Sequence, residues 1–320
     1  MATMESKKME DQPNRKLIVI ADDMGLTKGV NEGILEAHCH GIVTGTSLMA
    51  CGAAFNHAIQ LLRETRSLSV GVHLTLTQER PILSRAQVKT LVTTDGTFCR
   101  SPWDLVWRYL TNRLSLDEVR LELEAQIEKV MSAGVKVSHL DGHQHVHVIR
   151  GISQIVQGLA DKFGIPLIRY PSESITLDML RAPRRWRRFA ELMMVKFVCS
   201  ISSLHRPTGV QQFAGFYFGG CLTKANLLKA IEELPENSVT ELMCHPGRED
   251  ASTQYAHWKY SWHQELEALT DEDVKQALHK RCIDLIAPCQ VETLVDKYSH
   301  ESILTAFLCL SIDLFTVVPS

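Results

Sequence analysis

Short apolar runs alternate with longer segments of helical period between residues 16 and 290. The apolar runs predict strands at 16–21, 43–49, 68–74, 136–140, 167–169, 238–244 and 283–286. The segments between them predict helices at 28–40, 53–64, 115–132, 151–163, 223–234 and 271–280. Strands that alternate with helices indicate an α/β protein with a mostly parallel sheet, either open or closed into a barrel.

The clearest helix is the one predicted at 115–132. Ser115 and Glu118 have the spacing of a capping box at its start, and Gly134 follows its end. Apolar residues recur between them at helical spacing: Leu116, Val119, Leu123 and Ile127. The pattern predicts an amphipathic helix.

Two stretches, 77–110 and 171–220, show no clear period. Both contain proline, aromatic and basic residues. Long connections in α/β folds often carry function, so we expect both insertions to lie near the site and to shape a substrate groove.

The length and composition bound the domain organisation. The chain has 320 residues, of which 45% are hydrophobic, which is enough for a large core. We expect a polar, disordered lead over 1–15, a single domain over 16–290 and an atypical tail over 291–320. The tail is mostly apolar, but Asp313 makes it a poor membrane span.

Charge and cysteine content narrow the partners and the compartment. A formal net charge of −3 predicts neither a nucleic-acid nor a membrane partner, and the basic cluster 181–189 is interpreted as solvated surface. Nine cysteines without a CxxC pair indicate reduced thiols. The polar N-terminus lacks the apolar core of a secretory signal, so we expect a cytoplasmic protein, with the nucleus as the alternative. A homodimer is left open.

The ends of the predicted strands carry the candidate chemistry. Asp22 and Asp23 follow the first strand, His73 lies at the end of the third, Arg169 at the end of the fifth and His245 just after the sixth. Parallel strands place their carboxyl ends on one face, so these side chains are expected to converge. Two adjacent carboxylates are costly unless something compensates, and a helix N-cap or a bound cation would do so.

The fourth predicted strand runs into HLDGHQHVH, a stretch rich in imidazole. Its ionisable residues are His139, Asp141, His143, His145 and His147. So many polar rings at a buried strand end favour a metal site, because neutral imidazole is the commonest protein ligand of transition metals. The last three histidines alternate, so only some can face one ion, and the others would support ligands or contact substrate.

A cation held by two histidines and one carboxylate keeps open positions, as catalysis requires. One aspartate of the pair would then bind the ion, and the other would act as general base for an attacking water. An arginine would orient the base, and a histidine would supply the leaving-group proton. Together these groups predict hydrolysis of an amide or ester.

Five motifs resemble the YdjC-like carbohydrate deacetylase family, relatives of the chitooligosaccharide deacetylases, and they appear in the family's order across about 20–290. They are ADDMGLTKGVNEGILEA, GIVTGTSLMACG, GVHLTLT, HLDGHQHVH and ELMCHPG. The resemblance implies a distorted (β/α) barrel that removes acetyl groups from N-acetylated sugars with a bound divalent metal, most often Mg²⁺. By ligand type alone, Zn²⁺ or Co²⁺ is the alternative.

Carried over by position, the resemblance implies different roles for the two aspartates. Asp22 resembles the general base, and Asp23 resembles a metal ligand. His73 and His143 would be the other two ligands, and His245 would be the general acid.

The resemblance is looser for the remaining residues. Arg169 is similar in placement to the base-orienting arginine of the wider polysaccharide deacetylase group. Four motif members would support the ligands or contact a small carbohydrate substrate: His139, Asp141, His145 and His147.

Three other functions stay open. An iron(II) oxygenase uses two histidines and one carboxylate, but on short, regular strands unlike the helix-rich alternation here. A phosphoryl-transfer or phospho-acceptor domain would explain the acidic pair but not the histidines. A catalytically silent relative that binds sugar or protein is compatible with the sequence, although every proposed catalytic position is intact.

Overall fold

The computed structural model describes residues 14–182, 185–207, 209–248 and 253–291. Eight strands run through this described part of the chain: β1 (Arg15–Met24), β2 (Gly45–Leu48), β3 (Ser69–Leu74), β4 (Val137–Gly142), β5 (Leu167–Ile168), β6 (Gln212–Ala214), β7 (Ser238–Cys244) and β8 (Ile283–Leu285). All seven predicted strands are confirmed, and β6 is additional.

The helices of the described residues lie mostly between the strands. They are α1 (Lys28–Cys39), α2 (Phe55–Glu64), α3 (Pro102–Leu110), α4 (Leu116–Ser132), α5 (Arg150–Phe163), α6 (Leu177–Leu180), α7 (Trp186–Ile201), α8 (Lys224–Glu232), α9 (Trp262–Thr270) and α10 (Glu272–Lys280). The six predicted helices are confirmed, whereas α3, α6, α7 and α9 are not predicted by the pattern. Short 3₁₀ helices cover His143–Val148 and Thr253–Trp258.

The strands form one parallel sheet in the order β5-β4-β3-β2-β1-β7-β6, with β8 paired to β1. β7 pairs with one edge of β1 from Arg15 to Ala21. On the other edge of β1, β8 pairs with the first residues of the strand and β2 pairs with the last ones. The sheet curves into a half-barrel with flanking helices, which confirms the predicted distorted (β/α) barrel.

The two faces of β1 enter different apolar clusters. Leu17 and Val19 belong to the large cluster formed with the helices, whereas Ile18 and Ile20 belong to a small cluster with residues of β5 and β7. Alternation along the strand then places Asp22 on the side of Ile18 and Ile20, at the carboxyl end of the barrel interior.

Two carboxylates on α4 hold the first insertion. Glu122 accepts hydrogen bonds from the backbone N–H groups of Ile82 and Leu83, at 2.8 and 3.0 Å. Glu118 accepts the N–H of Thr90 at 2.7 Å. The 77–110 insertion is therefore fixed against the barrel, although the sequence gives little helical or strand signal there.

The capping box predicted for α4 is half formed. The hydroxyl of Ser115 accepts the N–H of Glu118, as predicted. The carboxylate of Glu118 binds Thr90 instead, because the insertion supplies a competing donor.

The two predicted terminal segments lie largely outside the described residues. Of the lead predicted over 1–15, the structure describes the last two residues, and Arg15 already belongs to β1. The tail from 292 to 320 and part of the basic cluster 181–189 also lie outside. Among the residues described, none of the helices has the length and apolarity needed to cross a membrane.

Candidate functional site

The two aspartates at the end of β1 are both buried and bind different partners. Asp22 is 2% exposed and Asp23 is 1% exposed. The backbone of Asp23 has a φ of 67°, in the left-handed region that aspartate tolerates better than most residues. This conformation coincides with a shift in the register between β1 and β2 from Ala21 to Met24, and it separates the two carboxylates.

Asp23, His73 and His143 form one buried cluster. Oδ1 of Asp23 lies 3.4 Å from Nε2 of His73 and 3.1 Å from Nδ1 of His143. One potential ligand atom from each residue lies within 4.8 Å of the others. These are the three residues predicted from the sequence as metal ligands.

A hydrogen bond on the far side of each ring orients these two histidines. Nδ1 of His73 lies 2.8 Å from Oδ1 of Asp141, and Nε2 of His143 lies 3.1 Å from Oε1 of Gln78. With a cation at the inner nitrogens, these outer nitrogens would carry the protons, because both outer partners are oxygens. The opposite nitrogens, Nε2 of His73 and Nδ1 of His143, are thereby aimed at Asp23, as in sites where an outer hydrogen bond fixes a metal ligand.

The cluster fits a divalent cation. Oδ2 of Asp23 is buried without a hydrogen-bond partner, which is costly unless a ligand compensates. Burial alone would raise the pKa of Asp23, but attraction and hydrogen bonds from His143 and His73 hold it well below its usual range. Burial alone would lower the pKa of His73, yet Asp141 and Asp22 raise it to about 10. A cation binding here would therefore displace a proton from His73.

A second possible ligand group combines Asp22, His73 and Asp141. Arg169 already occupies it, because Nη1 lies 2.6 Å from Oδ2 of Asp22 and 2.7 Å from Oδ2 of Asp141. A cation placed there would face the guanidinium charge. The group around Asp23 is thus the better cation site.

Arg169 is a buried hub for three carboxylates. It lies one residue after β5, beside Asp141, because Leu140 pairs with Ile168. Its Nη1 and Nη2 donate to the two oxygens of Asp22 at 2.6 and 2.8 Å, and its Nε donates to Glu241 at 2.5 Å. This fork holds the Asp22 carboxylate in one orientation.

His245 lies just beyond β7 and lines the same cavity as Asp22 and Asp23. Its backbone N–H donates to Glu265 at 2.5 Å. Its Nδ1 is buried without a hydrogen-bond partner, 3.9 Å from Oε2 of Glu265. The ring packs 4.9 Å from Tyr260.

The structure separates the four remaining motif members. Asp141 links His73 to Arg169. Nε2 of His147 donates to the backbone oxygen of Arg169 at 3.0 Å. His139 contacts the hydroxyls of Ser47 and Ser138, below the site. His145 is the one of the four that lines the cavity, with its ring 5.3 Å from that of Phe216.

A cavity of about 370 Å³ is lined by Asp22, Asp23, His73, His143 and His245. Both insertions contribute to its lining, as predicted. Trp103 and Val106 come from α3, and Met194 and Val198 come from α7.

Several residues of the site are not predicted from the sequence. Glu241 lies in an apolar strand, two residues after Val239, whose side chain faces the barrel interior. A charged residue at such a position is the one sequence feature that indicates a role for Glu241. Gln78 and Glu265 lie in segments with no motif, so only the fold reveals their contacts with His143 and His245.

Comparison with known proteins gives a family match over most of the chain. Residues 16–280 match the YdjC-like protein family. A carbohydrate deacetylase of Brevibacillus brevis is 32% identical over 275 residues, which are 85% of this chain and 97% of that protein. A chitooligosaccharide deacetylase of Yersinia enterocolitica is 32% identical over 267 residues, which are 82% and 94% of the two chains.

A solved structure agrees with the fold. A protein described as a proposed cellobiose-phosphate cleavage protein of Enterococcus faecalis V583 is 29% identical, with a TM-score of 0.67. The match covers 88% of this chain and 99% of that one. The chain therefore belongs to the YdjC-like protein family, which confirms the resemblance seen in the sequence motifs.

Proposed function

We propose that this protein is a metal-dependent hydrolase that removes the acetyl group from N-acetylated carbohydrates such as chitooligosaccharides. The observation that carries the proposal is the buried group of Asp23, His73 and His143 beside an arginine-bound Asp22. Support for the substrate class comes from relatives named carbohydrate and chitooligosaccharide deacetylases.

Asp23, His73 and His143 would hold the divalent cation. When bound, such an ion supplies a Lewis acid that polarises the amide carbonyl and lowers the pKa of water. Mg²⁺ is proposed from the family resemblance, with Zn²⁺ or Co²⁺ as the alternative by ligand type.

Asp22 acts as the general base that takes a proton from the attacking water. Each carboxylate oxygen has two lone pairs, so the bonds from Arg169 leave acceptor sites open toward the cavity. One guanidinium is shared among Asp22, Asp141 and Glu241, so it does not neutralise all three carboxylates.

His245 acts as the general acid that protonates the departing sugar amine. It lines the same cavity as Asp22, and the carboxylate of Glu265 lies behind its ring, 3.9 Å from Nδ1. The C–N bond of the acetamide breaks, and acetate and the free amine are the products.

The testing experiment measures acetate released from N-acetylglucosamine oligomers by protein reconstituted with Mg²⁺, Zn²⁺ or Co²⁺. We expect release that depends on the ion and stops with a chelator. Protein that binds the ion stoichiometrically but releases no acetate from any oligomer would count against deacetylation and for a silent sugar-binding relative.

A further inference from the structure

Helix α7 carries an exposed apolar stripe. Trp186 is 70% exposed, Phe197 is 59% exposed and Ile201 is 47% exposed. Met193 and Met194, each 41% exposed, complete the stripe. The spacing places these side chains on one side of the helix.

Helix α3 carries a second exposed apolar stripe. Trp103 is 55% exposed, Trp107 is 53% exposed and Leu110 is 73% exposed. Their spacing of four and three residues again places them on one face.

The two stripes meet the proposed catalytic cavity. Trp103 and Met194 are exposed stripe residues that also line the cavity holding Asp22 and His245. Each stripe therefore touches the cavity at one residue, and its other residues lie outside the cavity lining. We call this surface the apolar mouth, consisting of the stripe residues on α3 and α7.

The side chains of the apolar mouth suit hydrocarbon better than sugar. A tryptophan face can stack on a sugar ring, but Met194, Leu110 and Ile201 offer neither a flat ring nor a strong hydrogen-bonding group for hydroxyls. Large exposed apolar side chains grouped beside a cavity favour a binding site over ordinary solvated surface.

Building on the proposed function, we infer that the substrate is an amphiphilic glycoside, whose N-acetylated sugar enters the cavity while its hydrocarbon aglycone lies on the apolar mouth. The aglycone leaves the cavity past Trp103 and Met194 and extends toward Phe197, one turn further along α7. The sugar fixes the reacting amide, and the hydrocarbon adds affinity by removing apolar surface from water.

The test compares the methyl and hexyl glycosides of di-N-acetylchitobiose, below the micelle concentration, with the full chain. Calorimetry gives the dissociation constants, and acetate release is measured separately. We expect the hexyl glycoside to bind about tenfold more tightly than the methyl glycoside, since partial burial of five methylenes is favourable. Phe197→Gln should remove most of this preference without changing the methyl glycoside's dissociation constant.

Leu121→Gln is the matched control, because Leu121 is an exposed apolar residue of α4, 43% exposed and outside the cavity lining. It should keep the hexyl preference. Equal binding of the two glycosides, or a preference that survives Phe197→Gln, would overturn the inference. So would a wild-type dimer that Phe197→Gln converts to monomer without any hexyl preference, because a second copy would then cover the stripe. Hexyl preference without acetate from either glycoside would keep this inference and count against deacetylation.

Discussion

The floor and the mouth of the cavity are built from opposite kinds of side chain. At the floor, Asp23 and His73 line the cavity, and Arg169 holds Asp22 from behind. These three side chains are each at most 2% exposed and bind other ionisable groups. At the mouth, Trp103 and Met194 are 55% and 41% exposed and present apolar surface to solvent.

Because of this difference, a substitution at the floor affects several residues at once, whereas a substitution at the mouth affects few others. Each floor residue compensates a buried charge on another, so one substitution leaves its partners unpaired. A mouth residue makes few such contacts, so its loss is felt mainly by a ligand. Stability and catalysis should therefore depend on the floor, and substrate preference on the mouth.

The largest expected effect on stability comes from Arg169→Met. The substitution leaves Asp22, Asp141 and Glu241 buried without their shared cation, which should destabilise the fold by about 3–5 kcal/mol. Urea unfolding measures the change. Arg187→Met is the matched control on α7, where the exposed Arg187 pairs only at the surface and should matter by less than about 1 kcal/mol. An equal loss of unfolding free energy in both variants would mean that the three carboxylates do not depend on Arg169 for their stability.

An effect of intermediate size on stability is expected at acid pH, where the buried His147 would have to take up a proton. Burial lowers the pKa of His147 from 6.5 to about 4. Between pH 6.5 and pH 4, His147 is protonated in the unfolded chain but neutral in the folded protein. The free energy of unfolding therefore falls as the pH falls from 6.5 toward 4. The loss attributable to His147 should be about 2–3 kcal/mol over pH 6.5 to 4.5, and above 6.5 it should vanish.

His147→Gln isolates this contribution. The free energy of unfolding, measured with a chelator present, should depend less steeply on pH between 6.5 and 4.5 than in the unchanged protein. His263→Gln, at an exposed histidine of α9, should leave the slope as it is. An unchanged slope in His147→Gln would show that His147 does not stay neutral in the folded protein.

The smallest effect is expected at the mouth. Trp107→Gln removes an exposed ring whose described partner is the guanidinium of Arg113, 4.7 Å from the ring centre. We expect the free energy of unfolding, measured in urea, to change by less than about 1 kcal/mol, since exposed cation–π contacts contribute ~0.5–1 kcal/mol. A loss of unfolding free energy close to that of Arg169→Met would show that the mouth residues also contribute to the stability of the fold.

The strands and the metal-ligand candidates could be predicted because both have strong local signals. A buried strand needs an apolar run, and Asp22, Asp23 and His73 break such runs where each strand ends. Convergence of these ends follows from parallel strand order alone. The family motifs then distinguish His143 from its neighbours, which the alternation of the histidines could not do.

The mouth could not be predicted, because its apolar residues face solvent. The stripe on α7 resembles an ordinary buried helix face, and the basic residues beside it obscure the helical period in 171–220. The pairing of Glu241 with Arg169 is also hidden, because the two are 72 residues apart and meet only when the sheet forms.

The most direct test compares the two adjacent aspartates, because Asp22 is proposed to act as the base and Asp23 as a metal ligand. Bound metal per chain and acetate release are measured for Asp22→Asn and Asp23→Asn, with His73→Ala as a reference for ligand loss. Asp22→Asn should keep its ion and lose about 10²–10⁴-fold in turnover, whereas Asp23→Asn and His73→Ala should lose both ion and turnover. If Asp22→Asn lost the ion while Asp23→Asn kept it, the assignment of base and ligand would be reversed.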